Sequence, residues 1–186
     1  MKRSSGNYSM DWDDYHPHDT LNEFIQSLAD TNADFASIIN IGQSYEGRDM
    51  NVLAIEKAGP DAPKIWLEAG IHAREWIAPA VATFIVRELV ENNAAHPDYL
   101  DKLNWYFLPS ANPDGYAYSW EHDRLWRKTR SEHGSILGCK GVDPNRNWDF
   151  HWAETGEGIS SKFATIVTLT FSRSESQQVC RDILWT

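Results

Sequence analysis

The chain has 186 residues, with 17 basic and 27 acidic side chains and a formal net charge of −10. That length suits one ordinary domain with a sizeable core. The acidic balance argues against a nucleic acid partner, which needs a basic surface, and the longest strongly apolar stretch, residues 77–86, is too short to span a bilayer.

Residues 1–14 are polar and read as a lead-in segment without the apolar core of a secretory signal. Thr20 and Glu23 then form a capping-box pattern, and Leu21, Phe24, Ile25 and Leu28 follow at helical spacing. The run "ASIINIGQSYEGRDMNVLAIE" predicts two strands joined by a turn at Glu46-Gly47-Arg48-Asp49. "PKIWLEAG" predicts another strand, bounded by Pro63 and Gly70. From Trp76 to Asn93 a helix is expected, with Ile77, Ala80, Val81, Phe84, Ile85 and Leu89 as its buried face. "LNWYFLP" predicts a strand stopped by Pro109. Strands interleaved with helices imply an α/β layer structure, and no internal repeat is present.

Residues 109–158 differ in kind. Periodicity fades there while Asn, Asp, Gly, Pro, Arg and Trp accumulate, the composition of a site built from loops. Nine tryptophans in the chain favour an ordered protein. Cys139 and Cys180 either pair or stay free, so they leave the redox compartment open.

Within "EAGIHAREWIAPA", His72 and Glu75 stand three apart where an apolar strand ends and a helical run begins. Placed on a first helical turn, they converge on one point. An imidazole nitrogen and a carboxylate oxygen are a common pair in zinc sites, although H-x-x-E alone equally describes an acidic helix start. "NPDGY" is a turn by composition. "DRLWRKTR" sets Arg124, Arg127 and Arg130 at intervals of three, either a solvated basic helix face or a cluster suited to a carboxylate. "GVDPNRNWD" gathers Asp143, Asn145 and Arg146 in a further turn-rich segment.

Taken in order, "YHPHDTLNEFIQSLA", "IGQSYEGRDMNVLAI", "KIWLEAGIHAREWIAPA", "PSANPDGYAYSW", "RLWRKTRS" and "CKGVDPNRNWDFHW" resemble the zinc metallocarboxypeptidases of the pancreatic A/B type and their insect digestive relatives. The resemblance runs over residues 15–158, read as the N-terminal part of the catalytic domain. It implies a partial mixed-sheet α/β/α fold and proteolysis by removal of the C-terminal residue of peptides. It implies a Zn2+ cofactor, peptide or protein C-termini as partners, no membrane association, a monomer, and an extracellular location. His72 and Glu75 match two of the three zinc ligands of the family. Asp143 matches the carboxylate that orients the ligand histidine, and Arg127 the arginine that polarises the scissile carbonyl. Asn145 and Arg146 match the pair that grips the substrate's terminal carboxylate, and Arg74 and Arg124 match positions along the substrate groove.

After Gly156 the pattern departs from the family, and residues 159–186 read as a divergent tail. In "FSRSESQQVCRDIL" Arg173 and Ser174 replace the family's Glu-Pro, and Cys180 is an extra residue where no disulfide partner of Cys139 is expected. The third zinc ligand, the lid tyrosine, the pocket-floor residue and the general-base glutamate of the family are not matched, nor are its signal peptide and pro-domain. The expectation is a metallocarboxypeptidase chain that is itself inactive. The alternatives are a non-catalytic fragment that binds peptide carboxylates, and a non-functional truncated product. The uncharged, β-branched run "FATIVTLTF" is expected to pack poorly against the rest.

Overall fold

The computed structural model describes residues 8–132 and 140–147. In chain order these form α1 (His18–Thr31), β1 (Ala36–Gln43), β2 (Asp49–Ile55), β3 (Lys64–Glu68), α2 (Ile77–Glu91), the short α3 (Asp98–Asp101), β4 (Asn104–Leu108) and α4 (Pro113–Glu121). Single 3-10 turns lie at Asn93–Ala95 and Pro144–Arg146. The four strands make one sheet in the order β1-β2-β4-β3. β2 runs antiparallel to β4, with Leu53 opposite Phe107, and β3 runs parallel to β4, with Trp66 opposite Tyr106. The sheet is therefore mixed, as expected, and the α/β class holds.

The chain divides into two compact units. The first takes the described residues up to Asn40 together with Asn51–Ala69 and Trp76–Ser110, and the second takes Ile41–Met50, Gly70–Glu75 and the chain from Ala111 onward. The core of the first is built from Val52, Leu53, Ala54 and Ile55 of β2, Phe107 and Leu108 of β4, and Leu21, Phe24, Ile25 and Leu28 of α1. These α1 positions are the ones that helical spacing singled out. Full burial of side chains of this size contributes roughly 1.5–3 kcal/mol each, which is ample for the sheet and α1 to hold together.

Three local expectations need correction. Thr20 is not a cap: α1 starts at His18 behind Pro17, whose side chain can accept nothing, and Leu21 N–H donates to the Pro17 carbonyl at 3.3 Å. His18, the first residue of α1, is buried. The segment "NPDGY" is more than a turn, since it opens α4 with Asn112 as N-cap and Pro113 in the first helical position.

The buried face of α2 is also not the expected one. Pro79, Ala82, Thr83, Val86 and Val90 point inward, whereas Ile77, Val81, Phe84 and Ile85 are 38–58% exposed. The helix is apolar almost all round, so its periodicity fits two faces, and the one that carries Ala82 and Thr83 is the buried one. Phe84 instead lies under the Arg87 guanidinium at 4.8 Å, which also caps the Trp12 ring at 4.1 Å. Substitution Ile77→Ser, at the most exposed of these positions, should therefore cost about 1 kcal/mol or less. Val86→Ala should cost about 1–3 kcal/mol through lost transfer energy and the cavity left behind. Urea unfolding of the two variants reads the difference directly, and the reverse ranking would reinstate the other face.

Candidate metal and carboxylate site

β3 ends at Glu68, and Ala69 N–H still donates to the Leu108 carbonyl at 3.1 Å. Gly70 then takes φ +70°, a left-handed conformation that favours glycine, and turns the chain out of the strand direction. His72 and Glu75 do not sit on a first helical turn, because α2 begins only at Ile77. They occupy a tight turn of their own, closed by Glu75 N–H to the His72 carbonyl at 3.1 Å. The turn folds the carboxylate back so that Glu75 Oε1 faces His72 Nδ1 at 2.9 Å. The convergence expected from the spacing is present, produced by a different piece of backbone.

Arg127 arrives on an irregular segment, not on a basic helix face. Its carbonyl accepts from Ala73 N–H at 3.1 Å, so the residue after His72 is hydrogen-bonded to the segment carrying the arginine. Beyond Arg127 the chain forms a narrow ribbon. Thr129 N–H donates to the Val142 carbonyl at 2.9 Å, Thr129 Oγ1 accepts from Val142 N–H at 2.9 Å, and Gly141 N–H donates to the Ser131 carbonyl at 2.7 Å. Gly141 has φ +75°, and a Cβ there would lie 1.9 Å from the Thr129 carbonyl oxygen, so the ribbon closes only around a glycine. Its far end brings Asp143 back opposite Arg127.

Asp143 is 1% exposed and makes three charge-assisted contacts. Its Oδ2 accepts from Arg127 Nε at 2.9 Å, and its Oδ1 faces His72 Nε2 at 3.2 Å and accepts from Asn145 N–H at 3.0 Å. Burial pushes the carboxyl pKa up, but hydrogen bonds from His72 and Arg127, with the charge of Arg127, overcome it and hold the group at about 2. Arg127 Nη1 lies 3.6 Å from Glu75 Oε1, so a single guanidinium lies against both carboxylates.

The remaining predicted residues join through backbone. Asn145 and Arg146 occupy the 3-10 turn that Asp143 caps, and both are exposed. Arg124 Nη1 donates to the Arg74 carbonyl at 2.8 Å. Cys139, Cys180, and the tail at 159–186 lie outside the described residues. Sequence reasoning passed over Asp114, which is 3% exposed and accepts from Ser44 Oγ at 2.5 Å, Glu46 N–H at 2.9 Å and Arg48 Nη1 at 2.8 Å. It ties the hairpin loop to the first turn of α4. An acidic residue just inside a Pro-initiated helix was the available signal.

The donor chemistry suits a cation. With Asp143 ionised and facing Nε2, the imidazole proton belongs on that nitrogen, and Nδ1 turns a lone pair toward a carboxylate oxygen. Two acceptors 2.9 Å apart require a second proton or a positive ion between them. Among the described residues no group of three or more His, Cys, Asp or Glu side chains is disposed to hold a metal.

The zinc carboxypeptidase family matches residues 21–182. The chain belongs to this family. It is 56% identical over 151 residues to carboxypeptidase B of Astacus astacus, a match covering 81% of this chain and 50% of that protein. Among solved structures it is similar to carboxypeptidase A from Helicoverpa armigera, with a TM-score of 0.82 at 30% identity, covering 97% of this chain and 45% of that one. It is also similar to bovine thrombin-activatable fibrinolysis inhibitor in complex with tick carboxypeptidase inhibitor, with a TM-score of 0.77 at 34% identity, covering 94% of this chain and 57% of that one. The chain thus spans about half the length of the relatives it matches. The resemblance read from six sequence blocks is borne out, as is the fold it implies.

The depressed carboxyl of Asp143 gives this zinc carboxypeptidase chain a pH signature. A carboxylate whose folded pKa lies below its unfolded value stabilises the fold fully above the unfolded pKa, and that contribution is lost as pH falls through the folded one. A drop from 3.8 to about 2 corresponds to about 2 kcal/mol. The stability advantage of the native chain over Asp143→Asn should therefore shrink by about that amount between pH 4 and pH 2, as read from urea midpoints. A constant difference across that interval would mean the carboxylate is not held as described.

Proposed function

We propose that the chain carries half of a zinc-dependent carboxypeptidase centre, which removes the C-terminal residue of peptides in the complete protein. The observation that carries this reading is His72 Nδ1 facing Glu75 Oε1 while Nε2 is fixed by Asp143. His72 and Glu75 would hold the zinc, which when bound supplies Lewis-acid polarisation and an activated water. Asp143 fixes the tautomer that leaves Nδ1 free to ligate and raises the basicity of the ring. Arg127, with Nε on Asp143 and Nη1 3.6 Å from Glu75 Oε1, would present its remaining guanidinium N–H groups to the carbonyl oxygen of the scissile bond, where negative charge develops. Asn145 and Arg146, exposed on the adjoining turn, would take the terminal carboxylate and so restrict cutting to the chain end. Arg74 and Arg124 would flank the peptide upstream of that bond. The partners are peptide or protein C-termini, the chain acts as a monomer, and the setting is extracellular. No helix among the described residues is long and apolar enough to cross a membrane.

The two protein ligands proposed among the described residues are fewer than the three usual in catalytic zinc sites. The 186-residue chain by itself should therefore bind zinc weakly and release no terminal residue from apolar-ended or basic-ended peptides. Zinc titration by calorimetry should give one site, lost in His72→Ala and in Glu75→Gln. Chelator-sensitive turnover by the isolated chain would overturn the two-ligand reading.

The exposed Asn145 and Arg146 favour a second activity that survives without turnover, namely binding of peptide carboxylates. A peptide with a free C-terminus should bind the chain, while its amidated form and the Arg146→Ala variant should each lose about 10-fold or more, as expected for a charge-assisted contact. Equal affinity for the two peptide forms would remove Arg146 from this role.

A further inference from the structure

Neither the metal pair nor the carboxylate contacts account for Asn112, which is 2% exposed. It does two separable things. Its Oδ1 accepts from Gly115 N–H at 3.0 Å, the ordinary work of an N-cap at the start of α4. Its Nδ2 donates to the Ile71 carbonyl at 3.2 Å and to the Lys128 carbonyl at 3.0 Å. Ile71 immediately precedes His72, and Lys128 immediately follows Arg127. Capping needs only the oxygen, which Ser or Asp supplies equally well, so the amide donors are what Asn adds.

The surrounding contacts point the same way. Ser119 Oγ, on the same helix, lies 2.7 Å from the Tyr116 carbonyl oxygen and 3.2 Å from that of Ala73 and shares its one proton between them, so α4 also lies against the backbone just past His72. Gly115 belongs to this arrangement too. A Cβ there would lie 2.4 Å from the Lys128 carbonyl oxygen and 2.5 Å from Asn112 Nδ2, so a side chain would displace the carbonyl that Asn112 holds.

We propose that Asn112 is a positioning residue, whose side-chain amide sets the spacing between the His72 turn and the Arg127 segment by holding the carbonyls of Ile71 and Lys128. The proposal rests on the zinc carboxypeptidase reading for its purpose, though its geometry is independent of it. A metal ligand and an electrostatic stabiliser must be fixed to within a fraction of an ångström to act on one bond. Two donor bonds from one buried amide fix both backbones at once. The amide is planar, so its two N–H directions are rigidly related, and neither carbonyl can shift without losing a bond to a buried donor.

The test uses the 186-residue chain with Asn112→Ser and Asn112→Asp, both of which keep a capping oxygen and remove the paired amide N–H donors. Hydrogen exchange by NMR follows the Gly115 amide, which reports the cap, and Arg127 Nε–H, which reports the bond to Asp143. Zinc titration follows the pair. Both variants should keep Gly115 protected while Arg127 Nε–H exchanges about 10-fold faster or more, the loss expected when a charge-assisted bond is loosened. Zinc affinity should fall about 10-fold, the lower end for residues that orient ligands. A variant that keeps Gly115 protection with unchanged Arg127 exchange and zinc affinity would overturn the proposal. So would a uniform loss of protection extending to Leu53 and Phe107 in both variants, since Asn112 would then be a general stabiliser. Should the native chain bind no zinc at all, the zinc reading fails, and the Arg127 exchange still decides the role of Asn112.

Discussion

A single buried carboxylate, that of Asp143, holds the site together. It meets an imidazole nitrogen, a guanidinium and a backbone N–H at once, with distances of 2.9–3.2 Å. Taking a charge out of water is costly unless opposite charge and hydrogen bonds replace the hydration, and here all of these come from within the site. The carboxylate then has few ways to relax. Its partners are constrained with it: the histidine in tautomer and ring orientation, the arginine in the face it presents, and the 3-10 turn in its starting geometry.

Such a carboxylate works only if the backbone delivers its partners from far apart in sequence. His72 follows the end of β3, Arg127 lies fifty-five residues on, and Asp143 sits at the far side of a ribbon. The means of delivery are small and specific: a left-handed Gly70, a ribbon that excludes any side chain at Gly141, and the carbonyls of Ile71 and Lys128 bonded to the cap of α4. These bonds are individually worth about 0.5–1.5 kcal/mol, so their main consequence is geometry rather than stability. The Asp114 cluster extends the same principle, anchoring the hairpin loop through Ser44, Glu46 and Arg48 to the start of α4. Arg130, stacked 3.6 Å from the Tyr118 ring centre and 4.7 Å from that of Trp126, stiffens the end of the segment bearing Arg127.

Particular elements show where pattern reading works. The strands were legible because β-branched and aromatic runs ended at Pro63, Gly70 and Pro109, whereas their order in the sheet and the parallel sense of β3 beside β4 came only from the fold. The apolar positions of α1 were legible because that helix has one apolar stripe. α2 was legible as a helix but not in its orientation, since apolar side chains surround it and only tertiary packing selects the face of Pro79, Ala82, Thr83, Val86 and Val90 for burial. α4 was hidden because Asn, Pro, Asp and Gly are turn formers in isolation, and they open a helix only when the backbone beyond them continues as one.

By itself the sequence determined the chemical inventory: an imidazole and a carboxylate three apart, arginines at 124 and 127, an aspartate with Asn145 and Arg146 after it, and six ordered blocks sufficient to recognise the zinc carboxypeptidase family. Residue type and local spacing carry that information, because the chemistry a site needs limits the side chains that can supply it. Tertiary structure alone decided that the His72–Glu75 pair lies in a tight turn and not on a helix, that Asp143 is shared between His72 and Arg127, and that Asn112 joins the backbones beside both. The last two of those facts depend on hydrogen bonds between residues 16 to 71 positions apart, and no periodicity in a linear chain encodes which distant carbonyl a buried amide will meet.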